Sequence, residues 1–144
     1  MKYKQINKSK CHCITMRRAT NAITEFYDKA LEKVGITTSQ YSLLVNLGRL
    51  TEASTSDLAE YVNLERSTLV RNLKPLINKG YIVDLAKDSA RNHRYTLSEE
   101  GQKLLQKGMP IWEQAQAEIK AYLGEENIDL FMSLLHKLQE LNAE

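Results

Sequence analysis

Residues 54–83 read STSDLAEYVNLERSTLVRNLKPLINKGYIV, and their apolar spacing decides the fold. Leu58, Ala59 and Val62 lie on one face of a helix of about two turns, expected over 57–62. Asn63 comes next, a residue that tolerates the left-handed backbone a tight helix-to-helix turn needs. A second helix then covers RSTLVRNLKPLIN, residues 66–78. At about 100° per residue, Leu69, Val70, Leu73, Leu76 and Ile77 fall within an arc of roughly 120° and are expected to face the core. Ser67, Thr68, Arg71, Asn72, Lys74, Pro75 and Asn78 fill the opposite arc. Pro75 thus removes a backbone hydrogen bond on the solvent side, where water replaces it, and either kinks the helix or ends it.

Working outward, Tyr81–Ala86 and His93–Leu97 are short β-prone segments, and the polar KDSARN between them reads as a hairpin tip. Two strands alone are marginal in water, so they must pack beside the helices. On the N-terminal side, Ala19, Ala22, Ile23, Phe26, Tyr27, Ala30, Leu31 and Val34 recur at three- and four-residue steps. They predict a helix over about 12–34, stopped by Gly35. Another helix starts near Ser39 and fades by Leu50, and TEAST, residues 51–55, reads as a turn. Ser98 is a candidate N-cap, with Glu99 and Glu100 favourable in the first turn that follows. That helix is expected to run to Leu123, bent near Gly108 and Pro110, with Leu104, Leu105, Met109, Trp112, Ala115 and Ile119 inward. A last helix from about Asn127 stripes Ile128, Phe131, Leu134, Leu135, Leu138 and Leu141 on one face.

The expected fold class is mainly α with a small β-hairpin wing, in one domain over 1–144. Within it, 36–98 form a winged helix-turn-helix lobe, and 1–35 with 99–144 form a helical dimerisation region. The terminal helices carry more apolar stripe than the central module can cover, which makes a homodimer the natural sink.

The net charge is only +2, but the charges are segregated. Residues 1–24 hold six Lys/Arg and no acid, 25–65 hold three basic against seven acidic groups, 66–94 hold seven against two, and 95–144 hold four against nine. Positive charge is therefore confined to a tail and to the helix-plus-hairpin segment, where a polyanion would engage it. No run of apolar residues approaches the ~18 needed to span a bilayer, so the expectation is a cytoplasmic chain that does not bind membranes. No phosphate-cradling glycine loop, HExxH or nucleophile elbow is present, which argues against an enzyme and leaves no cofactor to expect.

In a helix-turn-helix the second helix enters the major groove of double-stranded DNA. Arginine there pairs with guanine, asparagine with adenine, and hydroxyls with phosphates or base edges. The candidate DNA-binding residues are Thr55, Ser56, Arg66, Ser67, Thr68, Arg71, Asn72 and Lys74, with Lys87, Arg91, Asn92 and Arg94 on a wing that reaches an adjacent minor groove. A winged helix that docks protein without reading DNA is the competing function.

With Leu58-Ala59, RSTLVRNL, the passage through Lys79-Gly80 and the junction Leu97-Ser98-Glu-Glu-Gly101 in this order and spacing, the chain resembles the MarR family of bacterial transcriptional regulators. CHCITMRRATNAITEFYDKAL is similar to the first helix of a subgroup with paired N-terminal cysteines. The resemblance implies a homodimeric repressor that binds a pseudo-palindromic operator and is released by a small ligand or an oxidant. It also implies an acid two positions before the wing arginine, but Ser89 stands there before Arg91, so the wing tip is expected to be mobile. Glu65 stands where Asp commonly caps the second helix and is a poorer cap.

Cys11 and Cys13 admit two readings: an oxidation sensor favoured by Lys10 and Arg17, or small residues packed at a helix start near the dimer seam. A metal site is not expected, since His93 and His136 have no ligand spacing to the pair. Met16, Arg17, Tyr41, Met109 and Trp112 are candidates for a pocket that takes a small aromatic or phenolic effector. Met and Trp at helical spacing are also what a plain core contains.

Overall fold

The computed structural model describes residues 8–86, 88 and 91–143. The elements run α1 (His12–Leu31), α2 (Thr38–Leu50), β1 (Ala53–Ser54), α3 (Thr55–Tyr61), α4 (Arg66–Asn78), β2 (Ile82–Asp84), β3 (Arg94–Leu97), α5 (Glu99–Leu123) and α6 (Glu125–Gln139). A 3-10 turn over Glu32–Val34 follows α1. The fold is mainly helical with a small antiparallel sheet in the order β1-β3-β2.

The expected hairpin is there as the antiparallel pair β2–β3, but a third strand joins it, which corrects the reading of TEAST as a plain turn. Ala53 pairs with Tyr95 and Ser54 with Arg94, so part of the expected turn is an edge strand. Ser54 then caps α3, its hydroxyl accepting from the Asp57 N–H at 3.1 Å, and the helix begins two residues earlier than expected. Likewise α2 starts at Thr38, because Thr37 and Gln40 form a reciprocal capping box. The last helix starts at Glu125 directly after Gly124.

The core gathers Leu31, Leu43, Leu44, Leu47, Leu58, Leu69, Leu73, Leu76 and Ile82, all under 2% exposed. It lies between α2, α3, α4 and the sheet, with α5 closing one side through Leu104. A close backbone approach lies at the start of α5. Ser98 bonds the Tyr81 carbonyl through its N–H and the Gly80 carbonyl through its hydroxyl, while accepting from the Gly101 N–H at 3.0 Å. A Cβ on Gly101 would meet the Tyr81 carbonyl oxygen at 2.0 Å. The Ser-Glu-Glu-Gly junction is therefore a steric fit that ties α5 to the end of α4, as well as a helix cap.

Proline does not end α4. The helix runs through Pro75 to Asn78, and its true terminus is at Gly80, φ +80°. There the Tyr81 N–H reaches the Leu76 carbonyl and the Gly80 N–H reaches Ile77, satisfying the last free carbonyls. Helix α5 likewise continues through Pro110.

The terminal helices are far less covered. Every residue from Cys11 to Thr20 is exposed, and α6 has no buried residue. Between α1, α5 and α6 lies an open, almost wholly apolar groove of about 620 Å³, bordered by Met16, Ile23, Phe26, Ile119, Phe131 and Leu135. Among the described residues no helix is long and apolar enough to cross a membrane.

Candidate nucleic-acid interface

Helices α3 and α4 meet through Leu58, Ala59, Leu69 and Leu73. The turn between them takes the shape that Asn63 predicts. With φ +54° at Asn63, its N–H bonds the Glu60 carbonyl and the Leu64 N–H bonds Ala59. This is a left-handed cap that lets the chain reverse within four residues. Glu65 precedes α4 without making a side-chain cap bond, as its length predicts.

Helix α4 is rotated about its axis relative to the expected wheel, by roughly 40° at 100° per residue. Leu69, Leu73 and Leu76 are buried and Ile77 is half-buried, but Val70 is 47% exposed. The expectation that Val70 faces the core is corrected. Packing against α2, α3 and β2 sets where the wheel stops, and it draws Thr68 and Asn72 to half-burial on the far edge. The fully open arc is Arg66, Ser67, Val70, Arg71, Lys74 and Asn78. Arg71 donates to the Thr68 hydroxyl at 3.3 Å, so Thr68 steadies the guanidinium.

Thr55 leaves the candidate list. It is 6% exposed and donates to the Tyr95 hydroxyl at 3.2 Å, locking the start of α3 to the sheet. Ser56, the next residue, is exposed. A buried hydroxyl needs a partner, and β3 supplies it, which the sequence alone could not show.

The wing is fastened at its neck. One Asp84 oxygen accepts from the Ala86 N–H at 3.0 Å and the Arg94 N–H at 3.3 Å, while the other holds His93 Nδ1. The His93 ring stacks on Tyr95 with centroids 6.1 Å apart. Arg94 pairs through Nε with Glu52, beside β1, and that carboxylate raises the guanidinium pKa above its ordinary value. Arg94 therefore clamps the wing base. Arg91 and Asn92 are exposed nearer the tip. Lys87 and the Ser89 position lie outside the described residues, and the expectation of a mobile tip lies there with them. Asp84 and Glu52 carry this support, and only their place opposite Arg94 in the folded sheet identifies them.

The five effector candidates do not form one pocket. Tyr41 and Trp112 stack with centroids 6.2 Å apart, and Tyr41 is 5% exposed. Burial, then the Glu113 charge, raises the Tyr41 pKa, while Arg49 lowers it. A Cβ on Gly108 would sit 3.0 Å from the Tyr41 ring, so Tyr41 is closed core, with Trp112 partly buried against it. Met109 points outward at 45% exposure, against the expected inward placement. Met16 borders the groove at the other end of α1, and Arg17 is exposed beside it. Cys11 and Cys13 are free, exposed thiols at the start of α1. No group of three or more potential metal ligands occurs among the described residues.

Residues 36–101 match the winged helix DNA-binding domain model. The transcriptional regulator MosR of M. tuberculosis, solved in complex with DNA, superposes with a TM-score of 0.77 at 32% identity, over 94% of this chain and 100% of that one. The repressor CouR on a 23-mer duplex gives 0.82 at 20% identity, covering 94% and 99%, and so shares the fold. An HTH-type regulator of Bacillus cereus is 27% identical over 93 residues, 65% of this chain and 62% of its own length. The activatory protein BadR of Rhodopseudomonas palustris is 29% identical over 112 residues, 75% of this chain and 61% of its own. The chain thus spans just under two thirds of the curated relatives it matches. The winged helix match from α2 through the wing, together with superposition over 94% of the chain on a 32%-identical regulator, establishes that the chain belongs to the MarR family of winged helix-turn-helix transcriptional regulators.

Proposed function

We propose that the protein is a homodimeric repressor that binds a pseudo-palindromic DNA operator and is released by a small ligand or an oxidant. The observation that carries the DNA reading is the open arc of α4: Arg66, Ser67, Arg71 and Lys74 project from the second helix of the motif beside a wing bearing Arg91. Arg71 reads a base, and Asn72, half-buried on the arc's edge, reaches one at the groove wall. Arg66, Lys74, Arg91 and the wing position Lys87 neutralise phosphates, and Ser56, Ser67 and Asn92 add hydrogen bonds that set register. Residues 36–98 form the reading lobe. MosR and CouR, both solved on DNA, support this assignment.

The dimer reading rests on α6, whose apolar residues cover an arc of roughly 200° at 100° per residue. One side packs on α5 and borders the groove toward α1, leaving Leu130, Leu134 and Leu138, with Leu141 just past the helix end, between 45% and 74% exposed. A second copy covers them, with 1–35 and 99–144 as the dimerisation region, and sets the spacing of two half-sites about 34 Å apart. An effector that favours another spacing shifts the population away from DNA. The exposed thiols Cys11 and Cys13, on a helix of that region, are where an oxidant would act.

Electrophoretic shifts against promoters of the chain's own gene neighbourhood, at two salt concentrations, test the reading. Specific binding whose affinity falls steeply with salt is expected. Equal retention of every duplex, or none, would remove it.

A further inference from the structure

Val70 is the one large apolar side chain in the open arc of α4. Arg66 and Ser67 lie one turn before it, Arg71 beside it and Lys74 one turn after, all exposed, and Val70 itself is 47% exposed. Nothing local favours valine there. A β-branched residue is a weaker helix former than the lysine or arginine around it, and about half of this one stands open to solvent. Its place in the first half of the helix, ahead of Pro75, is where a recognition helix meets base edges. A major groove offers such a side chain one apolar partner, the C5-methyl of thymine.

We propose that Val70 is a specificity-determining residue that reads a thymine methyl, next to the base read by Arg71. This rests on the DNA-binding reading above and adds a definite chemistry to it: each half-site contains a thymine whose methyl, not its hydrogen-bonding edge, is recognised. Arg71, steadied by Thr68, takes its base through hydrogen bonds, whereas Val70 contributes only by excluding water from a methyl–methyl contact.

The full-length protein is used to select duplexes from a random library, and each thymine of the selected site is then replaced by deoxyuridine, which pairs identically but lacks the methyl. In fluorescence anisotropy titrations, one substitution per half-site should weaken binding about three- to fivefold, the scale of one buried methyl. Val70→Ala should lose a similar factor on the thymine duplex and become indifferent to the replacement. Alanine is the better helix former, so a weakened variant is not an unfolded one, and circular dichroism of the variant checks this directly. If selected half-sites hold no thymine, if every deoxyuridine is tolerated by the native protein, or if Val70→Ala keeps the same sensitivity, the inference is overturned while DNA binding stands. If no duplex is enriched, the DNA-binding reading falls and the inference with it.

Discussion

Helices α4 and α6 are both amphipathic and leucine-rich, yet Leu69, Leu73 and Leu76 of α4 are at most 1% exposed, while Leu130, Leu134 and Leu138 of α6 stand 45% to 66% open. The difference lies in their neighbours. Helix α4 is held between α2, α3 and β2, so its stripe is used up inside the chain and only its polar arc remains for a partner. Helix α6 touches α5 and one wall of the groove, and the rest of its stripe awaits another surface. An amphipathic pattern reports that a face will be buried; whether the same chain buries it is a separate question.

The strongest test of this contrast is to place charge on the bare stripe. The double variant Leu134→Asp, Leu138→Asp should abolish the proposed dimer, weakening association by more than about 4 kcal/mol, since each protomer loses two leucine burials and would desolvate two carboxylates. Analytical ultracentrifugation reads this, and a variant that still sediments as the native species does would show that the stripe is not the seam. Within the sealed helix, Leu73→Ala should cost about 3 kcal/mol in urea unfolding by leaving a cavity that the packed neighbours cannot close. A loss under 1 kcal/mol would mean the core around α4 is looser than its burial indicates.

On the open arc the expected effects are smaller and concern binding. Arg71→Ala should weaken operator binding by about 2 kcal/mol and relax base preference at one position of each half-site. Melting temperature should be unchanged, because the side chain is exposed and its bond to Thr68 lies on the surface. Arg91→Ala at the wing should cost under about 1 kcal/mol, uniformly across sequences, and lower the salt slope by about one. A base-specific loss at Arg91, or a uniform one at Arg71, would exchange the two roles.

Much of the lobe was legible from residue chemistry. Asn63 marks the left-handed turn between α3 and α4, Ser98 caps α5, and the leucine spacing of α4 names three buried positions. Strand β1 was not legible, because two residues, Ala53 and Ser54, show no alternation and sit among turn formers; they become a strand only by pairing with β3. Thr55 read as surface for the same reason, since its partner, Tyr95, is 40 residues away. Val70 lay near the edge of the predicted apolar arc, where a modest rotation of the helix moves a side chain from core to solvent. Met109 was misplaced likewise. The contact of Gly108 with Tyr41 sets the rotation of α5, and no period within the helix encodes it.

What residue order determined by itself is local: which segments are helical, where they stop, and that basic and polar groups concentrate on one helix and the hairpin after it. Hydrogen-bond geometry and backbone sterics act over four or five residues, so short stretches carry that information. Only the tertiary structure decided the rotation of α4, the burial of Thr55, the clamping of Arg94 by Glu52 and the nakedness of α6. Each depends on side chains brought together from distant positions, and which of them meet follows from how the core closes.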